Sequence, residues 1–127
     1  MLFSPPVINP SKSVLIVDDD QMIVDLLATV LKKFGVKVYR AKNGFDAWSL
    51  YNNAKIDLVL TDIQMPDMDG KELSRRIRHN SRSTKIVVMS GGEDGTAMEL
   101  LKDGTVDYFF PKPFNLEKVC CILQQKL

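Results

Sequence analysis

Five times along the chain a short aliphatic run is followed by a stretch with apolar residues at helical spacing, and this alternation leaves few folds open. The runs are residues 13–17, 36–40, 58–60, 86–89 and 106–110. Between and after them come Met22, Ile23, Leu26, Leu27, Val30, Leu31 and Phe34, then Ala47, Leu50, Tyr51 and Ala54, then Leu73 and Ile77. Ala97, Met98, Leu100 and Leu101 mark a fourth helix, and Leu116, Val119, Cys120, Leu123 and Leu127 a fifth. Gly35 and Gly104 stand just past two of these stretches, where a helix ends most easily. Strands apolar on both faces and alternating with helices belong in a parallel sheet covered on two sides. The expected fold is α/β, an open, doubly wound, five-stranded parallel sheet over residues 13–127, preceded by an extended arm at residues 1–12 that holds three prolines. Sheets of this kind place their site outside the carboxyl ends of the strands, where the winding reverses.

That rule directs attention to the strand ends. The first strand ends on Asp18, Asp19 and Asp20, the third on Asp62, the fourth on Ser90 and the fifth on Pro111 and Lys112. Taken singly, each has an ordinary structural reading: Asp19 or Asp20 caps a helix, Ser90 turns the chain, and Lys112 is a solvated charge. Taken together at one edge of one sheet, they form a site. Carboxylates crowded within a few ångström repel one another, and a hard divalent cation relieves the repulsion. Mg²⁺ suits such a site because it takes one or two carboxylates and keeps waters that a phosphate can replace. Without the metal, the same charges favour protonation of one acid. A carboxylate, a metal, a lysine and a hydroxyl around one point are equipment for phosphoryl transfer. No strong general base is supplied, so the compound attacked must already be activated, and Asp62 accepts the group and holds it.

VLIVDDD, DLVLTDIQMPDMDG, VVMSGG and YFFPKPF, in this order and at strand ends, resemble the receiver domain of two-component response regulators. The resemblance covers residues 13–127. It implies a (βα)5 flavodoxin-like fold with strand order 2-1-3-4-5. It also implies that Asp62 is the phosphoacceptor, fed by a sensor histidine kinase or a histidine phosphotransfer protein. Asp19, Asp62 and the main-chain carbonyl of Gln64 would bind Mg²⁺, with Mn²⁺ an alternative, and Asp18 would help through water. Lys112 would pair with the acceptor and later with phosphoryl oxygens, Ser90 would close on the phosphoryl group, and Phe109 occupies the aromatic switch position. An output domain or partner protein would read the face of helix four, strand five and helix five. Such a domain assists its own phosphorylation and dephosphorylation but is otherwise a signalling module, not an enzyme. The Met65-Pro66 turn and Gly70 are expected to shape the metal-binding loop, and Lys112-Pro113 to hold a cis peptide. Gln64 and Gly92 lie where similar proteins tune the phosphoryl lifetime.

Some residues depart from the family pattern. Ser90 stands where many receivers have Thr. Phe109 lacks a phenolic hydroxyl, so its switching rests on packing. Gly91, Gly92 and Gly95 are expected to make the start of the fourth helix mobile, since an interior glycine costs a helix about 1 kcal/mol relative to Ala. The last helix lacks the arginine pattern of winged-helix regulators.

Composition narrows the alternatives. Seventeen basic against sixteen acidic residues give a net charge of +1, too balanced for nucleic acid or an anionic membrane as the main partner. No apolar run approaches a membrane span, and the prolines of MLFSPPVINP exclude a signal peptide. Cys120 and Cys121 are neighbours that do not pair with each other, which fits a reducing cytoplasm. Met65–Gly70 fails as a calcium loop, and GGEDGT lacks the lysine of a phosphate loop. Arg75, Arg76, Arg78, His79 and Arg82 are read as a solvated helix end, and Phe45 and Trp48 as core. A phosphatase using Asp62 transiently would want an acid at Gln64. The remaining rival is a receiver-like protein-binding module that is never phosphorylated. An opening Met1 suits the start of a protein, with stand-alone regulator and receiver of a longer chain both left open.

Overall fold

The computed structural model describes residues 12–90, 94–112 and 115–126, and the side chains of all of these but 122, 123 and 126. The expectations for the arm up to residue 11, for Gly91, Gly92 and the 112–113 peptide bond, and for the side chains of Leu123 and Leu127 lie outside the described residues.

The elements run β1 (Ser13–Val17), α1 (Gln21–Lys33), β2 (Lys37–Ala41), α2 (Gly44–Asn53), β3 (Leu58–Asp62), α3 (Gly70–Asn80), β4 (Lys85–Ser90), α4 (Thr96–Lys102), β5 (Tyr108–Pro111) and α5 (Leu116–Lys126). All pairings are parallel, in the order β2-β1-β3-β4-β5. Side chains alternate across each strand, so one sheet supports two cores. Val14, Ile16, Leu58, Leu60, Val87 and Met89 pack with Leu27 and Leu31 of α1 and Val119 of α5. Leu15, Val17, Val59, Ile86 and Val88 pack with Ala47 of α2, Leu73 and Ile77 of α3, and Ala97 and Leu100 of α4. This is why strands read as continuous grease rather than alternating.

Several boundaries differ from the sequence pattern for local reasons. The Val106 N–H bonds to the Leu100 carbonyl, so 105–106 finish the turn after α4 and β5 starts two residues late. Val36 is buried below the start of β2, and the strand runs to Ala41. On α1 the buried residues are Val24, Leu27, Ala28 and Leu31, while Met22 and Leu26 of the expected stripe are 81% and 49% exposed. Phe45 is also exposed, against its assignment to the core, whereas Trp48 is half-buried and stacks on Tyr51 at 5.9 Å. Gly95 is not a helix-interior glycine: it precedes α4 at φ 80°, a left-handed position that favours glycine.

The basic cluster is not simply a solvated face. Arg78 is mostly buried and donates from Nε to the Thr105 carbonyl and from Nη1 to the carbonyls of Ser81, Arg82 and Thr84. Its Nη2 meets Asp107 Oδ2 at 2.7 Å, and that oxygen also accepts the Ile86 N–H at 2.8 Å. One guanidinium therefore joins the end of α3 to the starts of β4 and β5. Arg78→Met keeps the stem but orphans these acceptors, and a loss of about 3–5 kcal/mol is expected. Urea unfolding with an unchanged m-value checks it, and a loss under about 1 kcal/mol would contradict the account.

Candidate functional site

The strand register assembles the site. Val17 pairs with Thr61, so the next residues, Asp18 and Asp62, sit side by side where β1 and β3 meet and the winding reverses. Asp62 pairs with Met89, which puts Ser90 one step beyond it, and Ser90 pairs with Pro111, which puts Lys112 one step further. The Lys112 N–H closes the corner by donating to the Ser90 carbonyl at 2.7 Å.

Within this corner the two aspartates with candidate duties are told apart from the third. Asp20 caps α1, its side chain accepting the Met22 N–H at 3.0 Å. Asp18, 1% exposed, accepts the Asp20 N–H at 3.0 Å and the Lys112 ammonium at 3.1 Å. Lys112 Nζ stands 3.4 Å from Asp62 Oδ2, and the Gln64 N–H donates to Asp62 Oδ1 at 3.3 Å. Asp19 is exposed, and oxygens of Asp18, Asp19 and Asp62 all lie within 4.8 Å of one another. Lys112 pairs with two of these three carboxylates, so among the described residues negative charge is in excess and the donor set is all oxygen. That chemistry fits a hard divalent cation.

The electrostatics follow from burial. Desolvation pushes the Asp62 carboxyl above its ordinary value; Lys112 opposes this and the charge of Asp18 adds to it. Like-charge crowding alone suggested such a shift from sequence, but burial is the larger cause. For Lys112, burial works to lower the ammonium, yet the Asp18 hydrogen bond and the charges of Asp62 and Asp18 outweigh it, and its pKa is raised.

Ser90 is half-buried at the end of β4, and half-buried Phe109 packs against the core cluster that contains Ala97 and Leu100 of α4. The loop after Asp62 is built more tightly than the sequence discloses. Asp67 takes φ 65°, a left-handed position in the turn, and Asp69 caps α3 by accepting the Glu72 N–H at 2.8 Å. Met68 is buried against Gly44, where an added Cβ would stand 2.8 Å from the Met68 Cβ. Gly70 donates to the Ile63 carbonyl at 2.8 Å and lies against the backbone of Asp62 itself. The buried Thr61 hydroxyl donates to the Asp62 carbonyl at 2.8 Å. Gly44, Met68 and Thr61 carried no signal in their residue type alone; their role comes from contacts between distant segments.

Comparison with known proteins agrees with this geometry. The family model described as the response regulator receiver domain matches residues 14–124. Chemotaxis protein CheY of Listeria monocytogenes is 34% identical over 113 residues, covering 87% of this chain and 94% of that protein. Regulatory protein AtoC of Escherichia coli K12 is 36% identical over 115 residues, which are 90% of this chain and 25% of that protein. The chain thus spans a quarter of that longer relative. Response regulator protein TrrA of Thermotoga maritima, solved in complex with Mg²⁺-BeF, superimposes with a TM-score of 0.82 at 28% identity, covering 92% of this chain and 100% of that one.

Proposed function

The chain belongs to the response regulator receiver domain family, and from that premise we propose that Asp62 accepts a phosphoryl group in a Mg²⁺-dependent reaction and thereby switches the domain. The observation that carries this reading is the convergence of Asp18, Asp19 and Asp62 with Lys112 at the carboxyl edge of β1, β3 and β5.

The donor is a phosphohistidine of a kinase or phosphotransfer protein. One Asp62 oxygen attacks phosphorus, the new P–O bond forms as the P–N bond breaks, and the electron pair returns to the imidazole, which takes up a proton. Asp19, Asp62 and the Gln64 carbonyl would hold the cation, Mg²⁺ or alternatively Mn²⁺, and Asp18 would help through water. Bound there, a divalent ion would supply positive charge for the entering phosphoryl oxygens. Lys112 transfers its pairing from Asp62 to those oxygens, and the Ser90 hydroxyl closes on the group. In self-dephosphorylation water attacks the same phosphorus, the bond from the Asp62 oxygen to phosphorus breaks, and the Asp62 carboxylate and inorganic phosphate are released. An open groove lined by Asp20, Met22, Ile23, Asp25, Leu26 and Thr29 adjoins the acidic cluster and offers the donor an apolar landing surface. The output reads α4, β5 and α5, where half-buried Phe109 and 42%-exposed Met98 stand ready to repack. A reducing cytoplasm suits the two free cysteines.

Intact mass after incubation with acetyl phosphate tests the proposal: one added phosphoryl group that requires both Mg²⁺ and Asp62 supports it. An adduct persisting in Asp62→Ala sinks it and points to another acceptor, while no adduct in a rapidly quenched sample favours a binding module or strict dependence on a cognate phosphohistidine donor. A second expected result concerns Lys112. Lys112→Met removes the cation that pairs with Asp18 and Asp62, so Mg²⁺ affinity is expected to rise by roughly tenfold or more by calorimetry. Weaker Mg²⁺ binding in that variant would mean that Lys112 does not compete with the metal.

A further inference from the structure

Building on the receiver reading above, we propose that a ladder of ion pairs between α3 and α4 holds α4 in place and sets the threshold at which the phosphorylated site moves it. α4 is held lightly by everything else. It is seven residues long and buries only Ala97 and Leu100, with half-buried Leu101 beside them; Gly95 before it has no side chain to cap it, and the Asp94 carboxylate accepts the Thr96 N–H at 3.0 Å. Yet α3 presents Lys71 and Arg75 one turn apart, and across from them α4 and the residue after it present Glu99 and Asp103, also one turn apart. Lys71 Nζ lies 3.6 Å from Glu99 Oε1, while Arg75 Nη2 lies 3.1 Å from the same oxygen and 3.0 Å from Asp103 Oδ2.

The rungs are unequal in a way that matters. Asp103 is fixed independently, because its Oδ1 accepts the Thr105 N–H at 2.9 Å and the Thr105 hydroxyl at 2.6 Å. The carboxyl-terminal end of α4 is therefore the pivot. The longest rung, Lys71 to Glu99, lies toward the amino-terminal end, the end nearest Ser90 along the chain. A movement of Ser90 reaches this end of α4 first, and lifting it away from α3 breaks the Lys71 rung and then the shared Arg75 rung. Exposed pairs are individually weak and are screened by salt. For a helix with two buried side chains they are nevertheless a sizeable part of what fixes its position, and they make the switch sensitive to ionic strength.

The test uses Lys71→Gln/Arg75→Gln, which leaves Asp103 and its turn intact. Amide hydrogen exchange is followed over Thr96–Lys102 at about 0.02 M and about 0.5 M salt. At low salt the variant is expected to exchange about threefold faster in α4 with sheet amides unchanged. High salt should speed α4 exchange in the wild type and leave the variant unaffected. In parallel, beryllofluoride with Mg²⁺ should bind the variant about threefold more tightly at low salt, because less is spent in releasing α4. Equal α4 exchange in the two proteins, an undiminished salt response in the variant, or equal or weaker beryllofluoride binding each overturns the ladder. Failure of the wild type to bind beryllofluoride would overturn the receiver reading and the tuning role with it, while the exchange arm still decides whether the rungs hold α4.

Discussion

Asp62→Asn is expected to accept no phosphoryl group and yet to melt higher than the parent protein in metal-free buffer at neutral pH. The sign follows from the raised carboxyl. An acid whose pKa is higher folded than unfolded binds its proton more tightly in the native state, so stability falls as pH rises from the ordinary carboxylate value through the folded one. Above that window Asp62 is ionised, largely buried and beside Asp18, and the penalty is fully present; below it both states are protonated and the penalty is gone. Asparagine keeps the shape and removes the charge. The melting difference between variant and parent should therefore grow as pH rises out of the acid range and then level off, with each 1 kcal/mol worth roughly 3–6 °C for a domain of this size. Mg²⁺ should narrow the difference by stabilising the parent, by about 2.7 kcal/mol at a hundredfold excess over its Kd, while raising the variant less. A variant that melts lower than the parent in metal-free buffer would contradict the electrostatic account even if phosphorylation were lost.

Gly70→Ala should cost about 3 kcal/mol or more and slow phosphorylation at least about tenfold. Glycine is ordinarily a poor helix residue, and at an open position alanine would help by up to about 1 kcal/mol. Here an added Cβ would stand 2.7 Å from the Ile63 Cα and 2.9 Å from the Asp62 carbonyl carbon, and closer still to the Asp62 carbonyl oxygen. All three are backbone atoms of the strand tip that carries the acceptor, so no side chain can swing aside. Either α3 retreats, taking the Gly70 N–H from the Ile63 carbonyl, or the Asp62 tip is pushed out of line. Thermal melting and the acetyl phosphate rate read these two consequences separately, and a normal result in both would remove the clamp.

Much of this architecture was legible because parallel sheets write themselves plainly into sequence. Continuous runs such as IVVM gave the strands, and of the two acids weighed as a cap for the first helix Asp20 is the one that caps it. The strand-end rule then gathered Asp18, Asp62, Ser90 and Lys112 from across the chain. What sequence did not disclose depends on three-dimensional neighbours. Nothing about Arg78 distinguishes it from Arg75 or Arg76 along the helix, yet its position turns it under the starts of β4 and β5. Met22 and Leu26 stand four apart, as Leu27 and Leu31 do, but at about 100° per residue they fall on the opposite side of α1, where the helix meets solvent rather than sheet. The start of β5 was misplaced because Val106 is apolar and buried without being in the ladder. Periodicity reports burial, and hydrogen bonding decides the strand.

The most direct test of the central claim is to locate the phosphoryl group chemically. Protein incubated with acetyl phosphate and Mg²⁺ is reduced with borohydride, which converts an aspartyl phosphate to homoserine, then digested and sequenced by mass spectrometry. Homoserine at position 62, absent without Mg²⁺ and with Asp18 and Asp19 intact, is the predicted result. Homoserine at Asp18 or Asp19, or none at any position in protein whose mass showed an adduct, would contradict the assignment of Asp62 as acceptor.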